Sequence, residues 1–453
     1  MKKKILMSLC AVCFIAQAIL FAGCKNDPPE NPADNQVYFY GNLSQALEVV
    51  TNSDYANASL QVDENSAGVS VNVASDAVTI NVLKNLEVAK TLTIQKDLTI
   101  DLNGKEIVGS CDVLFKVQSG NVIFKGTTEG SKVSLSNDGG QVTLLHVLAG
   151  TCKIDGGSYK TTSNGVATTA NPNVSILCAG GRLDIENASI DATDSDSGVL
   201  YGVKYNNGTN GNIKNSFINV DAPNGLNSYS INNEGTLLIT NSTINAYSNY
   251  KANEAKTDYA CSSRGVFSTG SLTLKNCNVY GVHSGITSRG DLYIDGGTYE
   301  GYGHGGLYIG AEGKTSYLKN ATFKDSVMKN DYIDDGVAGT NKSGAYVGGA
   351  SNVTVYIDNC NFSGAYYPFV LRSSGYMVDG VKHYESNVNV YISNSTIDFD
   401  RDSFKYIRVD ASASANQKLY IGVGNNFTVS DGVYKEGNAE ATDVNYASMF
   451  PTI

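Results

Sequence analysis

Residues 271–280 read SLTLKNCNVY, 281–290 read GVHSGITSRG, and 291–299 read DLYIDGGTY. The two ends of this stretch carry one frame. Leu272-Thr273-Leu274 leads to Asn276, the small Cys277 and Val279. Leu292-Tyr293-Ile294 leads to Gly296, the small Gly297 and Tyr299. The copies lie 20 residues apart, which marks an internal repeat.

With Leu274 and Ile294 as anchors, the frame recurs at Ile154, Ile185, Ile213, Ile239, Leu318, Ile357 and Ile392. Two residues after each anchor stands Asn or Gly: Gly156, Asn187, Asn215, Asn241, Asn276, Gly296, Asn320, Asn359 and Asn394. The third position is small, as in Ala188, Ser216, Cys277, Cys360 and Ser395. The fifth is apolar, as in Tyr159, Ile190, Val279, Phe323 and Ile397. Each column has a physical reason. Alternating apolar residues up to the anchor make a short strand with one buried face. Asn and Gly tolerate positive φ, so the chain bends there. A small residue lets the bend turn inward, and the apolar fifth residue re-enters the core on the next strand. A glycine column comes earlier in each repeat, at Gly120, Gly150, Gly181, Gly235, Gly270 and Gly290, four residues before an anchor-type residue. Each repeat is therefore three short strands and one variable loop. Strand-only repeats with no helical period predict a parallel β-helix whose coils stack about 4.8 Å apart.

These columns resemble the right-handed parallel β-helix repeats of the pectin-lyase-like superfamily, over roughly Val78 to Val429. The run TLTIQKDLTIDLNGKEI (91–107) is similar to the first coils of many bacterial surface β-helix proteins. The resemblance implies an all-β, single-stranded solenoid. It does not choose an activity, because the superfamily holds lyases, hydrolases and non-enzymatic surface proteins.

The flanks divide the rest. Lys2, Lys3 and Lys4 precede an apolar run, Ile5 to Phe21, that ends in Phe21-Ala22-Gly23-Cys24. This resembles a bacterial lipobox, which implies a signal peptide over 1–23 and lipidation of Cys24. Residues 24–36, with Pro28, Pro29 and Pro32, read as a flexible tether. Residues 37–77 break the repeat. Leu43, Ala46, Leu47 and Val50 have helical spacing, with Asn42 or Ser44 as N-cap, and the segment is expected to cap the open end of the coils. The coils are expected over 78–429, with 430–453 covering the far end. The expected location is the cell envelope, at the outer membrane or surface of a bacterium, as a lipid-anchored monomer.

The net charge is −11, and loss of the three N-terminal lysines takes it to −14. An acidic surface argues against nucleic acid and anionic headgroups as partners. Cys24 aside, the mature chain keeps Cys111, Cys152, Cys178, Cys261, Cys277 and Cys360; Cys152, Cys277 and Cys360 fall at inward positions and are expected as buried thiols, and without a CxxC pair no zinc site is expected.

Three features rise above the scaffold. The residue before the anchor alternates outward, and in the last five coils it is Tyr293, Tyr317, Tyr356, Tyr391 and Tyr420. The spacing predicts an exposed aromatic strip roughly 20 Å long, with every variable loop leaving from another corner. Such a strip suits a polysaccharide or a surface partner. The second feature is a polar corner, where His304, Asp331, Asp334 and Asp335 fall in neighbouring loops. Carboxylates beside a histidine are the material of acid–base catalysis on glycosidic bonds. His304 sits in GHGGLYIG (303–310), which is similar to the Gly-His-Gly stretch of polygalacturonase-type hydrolases, but their preceding Asn-Thr-Asp and Asp-Asp have no counterpart here. The third feature is Arg289 and Arg372, at the position where β-helix lyases carry a basic residue beside calcium. Asp191, Asp194 and Asp196 form the one short acidic run with calcium-loop character, without the closing glutamate of an EF-hand; no other cofactor is implied. Three readings follow in order. The first is a non-catalytic surface lipoprotein that presents the tyrosine face. The second is a lyase or glycoside hydrolase acting on an acidic polysaccharide. The third is a purely structural envelope protein.

Overall fold

The computed structural model describes residues 36–452, except 75–76, 138–140, 165–166, 169, 196–197, 225–226, 249–250, 253–258, 262, 303, 326–342, 365–366, 373–375, 379–380, 384–386, 399–406, 410–416 and 428–437. Cys24, Asp196, Asp331, Asp334 and Asp335 lie outside the described residues, as do the side chains of Cys261 and Arg372.

The chain opens with strand β1 (Gln36–Tyr40), helix α1 (Leu43–Asn52), and strands β2 (Val69–Ala74) and β3 (Ala77–Val82). α1 forms where the spacing places it. The Asn42 side chain accepts from the Gln45 amide at 3.0 Å, and Ser53 ends the helix in left-handed backbone. Leu43, Ala46, Leu47, Val49 and Val50 bury one face against the first rungs, and β1, β2 and β3 pair antiparallel.

From β3 onward all rung-to-rung pairing is parallel, apart from two short antiparallel excursions in the loops. The molecule is a right-handed parallel β-helix with three strand ladders per coil. The anchors stack in one unbroken register, Ile154 on Ile185, Ile213, Ile239, Leu274, Ile294, Leu318, Ile357 and Ile392. The same ladder runs back through Phe124 and Ile100 to Ile80, and on to Ile421. A second ladder carries the fifth-position residues, from Tyr159 to Ile397, all fully buried. The third, of 12 strands, runs from Leu92–Ile94 to Arg408–Val409 and closes each coil.

The bend column has the conformation its residues suit. Gly156, Asn187, Asn215, Asn241, Asn276, Gly296, Asn320, Asn359 and Asn394 all have positive φ, the asparagines between 49° and 54° apart from Asn320 at 56°. Asparagine adds a side-chain ladder along the outside of the bend. Asn215 Nδ2 donates to Asn187 Oδ1 at 3.3 Å, and Asn359 Nδ2 donates to Asn320 Oδ1 at 2.9 Å. The small residues after the bend are buried, Cys277 and Cys360 among them.

The far end differs from expectation. The anchor ladder does not stop near Val429. Asn438–Ala441 adds one more parallel strand on Gln417–Ile421, and the chain then doubles back as a short 3-10 turn, Tyr446–Met449.

Candidate binding face: the tyrosine column

Strand alternation with the anchors inside sends the preceding residue outward. Tyr293, Tyr317, Tyr356, Tyr391 and Tyr420 accordingly sit side by side on consecutive rungs. Ring centroids are 6.4 Å apart for Tyr293–Tyr317, then 5.6, 5.0 and 4.6 Å up the column. The upper pairs are nearly parallel, ending with Tyr391 and Tyr420 at 4°. Thr273 interrupts the column below and Glu440 above.

The strip is not openly exposed. Tyr293 is 5% accessible and the other four are half-buried. The expectation that nothing stands over this face fails because the C-terminal segment folds back across it. Tyr446 is itself buried and meets Tyr391 edge-on at 5.2 Å; Phe450 meets Tyr317 edge-on at 5.6 Å. Asn445 caps the turn by accepting from the Ala447 amide, and also accepts from Asn394 Nδ2 at 3.1 Å. The Tyr446 amide donates to Ser393 Oγ at 3.1 Å. Burial and the neighbouring phenols hold the Tyr356 and Tyr391 hydroxyls above the usual tyrosine range, so both stay neutral near pH 7.

A hollow opens beside the buried Tyr293, where the column begins. It measures about 420 Å³ and is lined by Thr273, Tyr293, Tyr317, Asp291, Lys314 and Pro451. A second, of about 380 Å³, shares Ser271, Asp291 and Lys314 and continues past Thr236 to Asn210. Together they form one trough along the glycine edge. Its floor is bare because stacking demands it: a Cβ on Gly270 would lie 2.0 Å from the Gly235 carbonyl oxygen. The charged groups beside the trough are paired with one another, Lys314 with Asp291 at 3.0 Å and Lys204 with Glu234 at 3.2 Å. Lys319 bonds Asp295 at 3.1 Å and stands 5.6 Å over the Tyr293 ring. Such a surface offers ring edges, hydroxyls and amides, because the ring faces are stacked on one another.

Of the polar corner, His304 lies within the described residues, and Asp331, Asp334 and Asp335 lie outside them. His304 stacks on Tyr308 at 5.6 Å and Tyr346 at 6.1 Å, and meets His283 edge-on at 4.4 Å. Complete burial holds His283 well below the usual histidine range, hence neutral. Arg372 lies on the strand Tyr367–Arg372, its backbone opposite Gly348. Arg289, just past the end of the strand Ser284–Ser288, lies over the Phe267 ring at 5.6 Å, and Thr287 on that strand pairs with Tyr308.

Asp191 and Asp194 of the acidic run do not converge on one point, and Asp196 lies outside the described residues. Asp191 and Asp194 share one strand at an odd spacing, so they face opposite sides. Asp191 is half-buried on the outside and accepts from Ser189 Oγ at 3.1 Å. Asp194 points into the core and accepts from Asn173 Nδ2 at 3.2 Å. Among the described residues no group of three or more His, Cys, Asp or Glu is placed to hold a metal. Cys152, Cys178, Cys277 and Cys360 are buried thiols, as the inward columns require, while Cys111 is only part-buried.

Two aromatic features escaped the sequence reading. One is the covering pair Tyr446 and Phe450, whose only signal was two aromatic residues four apart just after the capping Asn445. The other is a second stack on the third ladder, Tyr201–Tyr229–Phe267, at 5.0 and 4.9 Å, with Arg264 5.5 Å from the Tyr229 ring. Tyr201 and Tyr229 are buried, so that stack is packing rather than surface.

No family model matches the chain, and no curated protein matches it.

Proposed function

We propose that the chain is a non-catalytic envelope lipoprotein of the pectin-lyase-like β-helix superfamily, anchored through a lipidated Cys24, that binds an extended neutral glycan. The glycan lies in the hollow against the ring edges of Tyr293 and Tyr317 and runs into the adjoining trough. The observation that supports this is the in-register tyrosine column ending in a hollow of about 420 Å³. Pyranose faces pack against phenol ring edges, and hydroxyls exchange hydrogen bonds with Thr, Ser and Asn side chains. A neutral ligand suits the place because its charges already satisfy one another, and a chain of net charge −11 repels polyuronates. Several ring contacts of about 0.5–1.5 kcal/mol each share the binding.

The test is calorimetric titration with cello- and chito-oligosaccharides of increasing length, beside oligogalacturonates. Tyr293→Ala with Tyr317→Ala is expected to remove binding of the neutral series while the far-UV spectrum stays that of the β-helix. Equal binding by the double variant would make the column a packing device only.

A further inference from the structure

The C-terminal segment does two different things in a few residues. Up to Tyr446 it belongs to the body. The Val423 amide donates to the Val444 carbonyl at 3.1 Å, Thr442 Oγ1 and the Tyr446 hydroxyl share a hydrogen bond at 2.8 Å, and Tyr446 is buried. Beyond Tyr446 every described hydrogen bond stays inside the segment. The Ala447 amide goes to Asn445 Oδ1, Ser448 Oγ to the Asn445 carbonyl, and the Phe450 amide to the Ala447 carbonyl at 3.5 Å. Ala447, Ser448 and Met449 are exposed, Met449 at 48%. What rests on the coils is one half-buried ring, Phe450 on Tyr317, followed by Pro451 at the wall of the hollow.

We infer that Ala447–Thr452 is a releasable arm, pinned at Tyr446, whose docked state covers Tyr317 and shortens the tyrosine face available to ligand. The reading rests on the glycan-binding proposal and adds its regulation. Phe450 takes the place a sugar ring would need in order to pack beyond Tyr317, so arm and ligand compete for one surface. Only partial burial of a single ring holds the arm, which favours docking by about tenfold. A site that is open about a tenth of the time binds about tenfold more weakly than one that is always open. A ligand that spans Tyr293 to Tyr356 therefore displaces the arm, whereas one confined to the hollow at Tyr293 does not. Tyr446, held by its buried ring and hydrogen bonds, is the hinge.

The full-length chain contains no tryptophan, so Phe450→Trp makes a single reporter. Its emission is expected to drift toward the solvent-exposed value through the range of urea in which the far-UV signal of the β-helix is still unchanged. Long neutral oligosaccharides are expected to cause the same shift in native buffer. Phe450→Ala is expected to tighten long oligosaccharides by about tenfold and to leave the shortest ones unchanged. Emission that changes only together with the far-UV signal would overturn the arm as a separate element. So would a Phe450→Ala variant that binds long ligands no better. If no oligosaccharide binds either protein, the glycan proposal falls, and the urea experiment alone still decides whether the arm releases.

Discussion

Asn215 tests the physical basis of the repeat. It lies in the middle of the coils with φ of 49°, and its side chain is exposed. Its amide donates to the Thr240 carbonyl of the next coil at 3.1 Å; its side chain donates to Asn187 Oδ1 at 3.3 Å and accepts from Asn241 Nδ2 at 3.5 Å. Asn215→Val keeps the backbone bond but places a β-branched residue in left-handed backbone, which costs roughly 1–2 kcal/mol. The two long, solvated side-chain bonds contribute about 0.5 kcal/mol more. Asn215→Gly loses those bonds and adds unfolded-state freedom, together about 1–1.5 kcal/mol, but carries no φ cost. Valine should therefore be worse than glycine by about 1 kcal/mol, although it is the larger and better strand former. Urea unfolding followed by far-UV circular dichroism measures this as a difference in midpoint at a common slope. If glycine destabilises as much as valine, the column is selected for its amide ladder and the backbone argument is wrong.

Three further outcomes follow from the same structure. Burial raises the thiol of Cys277 to about 11 and that of Cys360 to about 12, so both should resist a thiol reagent at mildly alkaline pH in the folded protein and react fully in urea; reaction of the native protein would show these coils open. Burial likewise raises Tyr40 to about 12, and Tyr356 and Tyr391 above the usual range. The unfolded chain then loses these protons first, near pH 10, so their contribution is complete below about pH 10 and is lost as pH rises through the folded values. Thermal midpoints taken upward from about pH 9 should fall beyond pH 10, and a flat profile would contradict the burial of the column. Cys24→Ala should move the expressed protein from the membrane to the soluble fraction, because no helix among the described residues is long and apolar enough to cross a bilayer. Unchanged membrane association of the mature-length variant, freed of residues 1–23, would refute lipid anchoring.

The coil frame was legible in residues 271–299 because every one of its constraints is local and recurs. An asparagine such as Asn276 is needed wherever the bend forces positive φ. Leu274 and Val279 must be apolar because strand alternation turns them inward, and Cys277 must be small because the bend tightens there. Stacking copies one coil's requirements onto the next, so a column of residues writes the register Ile154–Ile392 directly into the chain. The outward direction of Tyr293 to Tyr420 follows from the same alternation. Alternation also separates Asp191 from Asp194 once the strand Ser189–Asp194 carries both. What covers the tyrosines was not legible. Tyr446 and Phe450 belong to no repeat, and their place is set by packing against strands that lie 50 residues or more earlier in the chain, such as Ser393 against Tyr446. The end of the ladder at Asn438–Ala441 was hidden for the same reason, since that strand lacks the bend asparagine and pairs only because Gln417–Ile421 offers it an edge. Local conformational rules repeat and can be counted along a sequence. A contact made once, between segments with no shared pattern, exists only when the three-dimensional surface that receives it has been built.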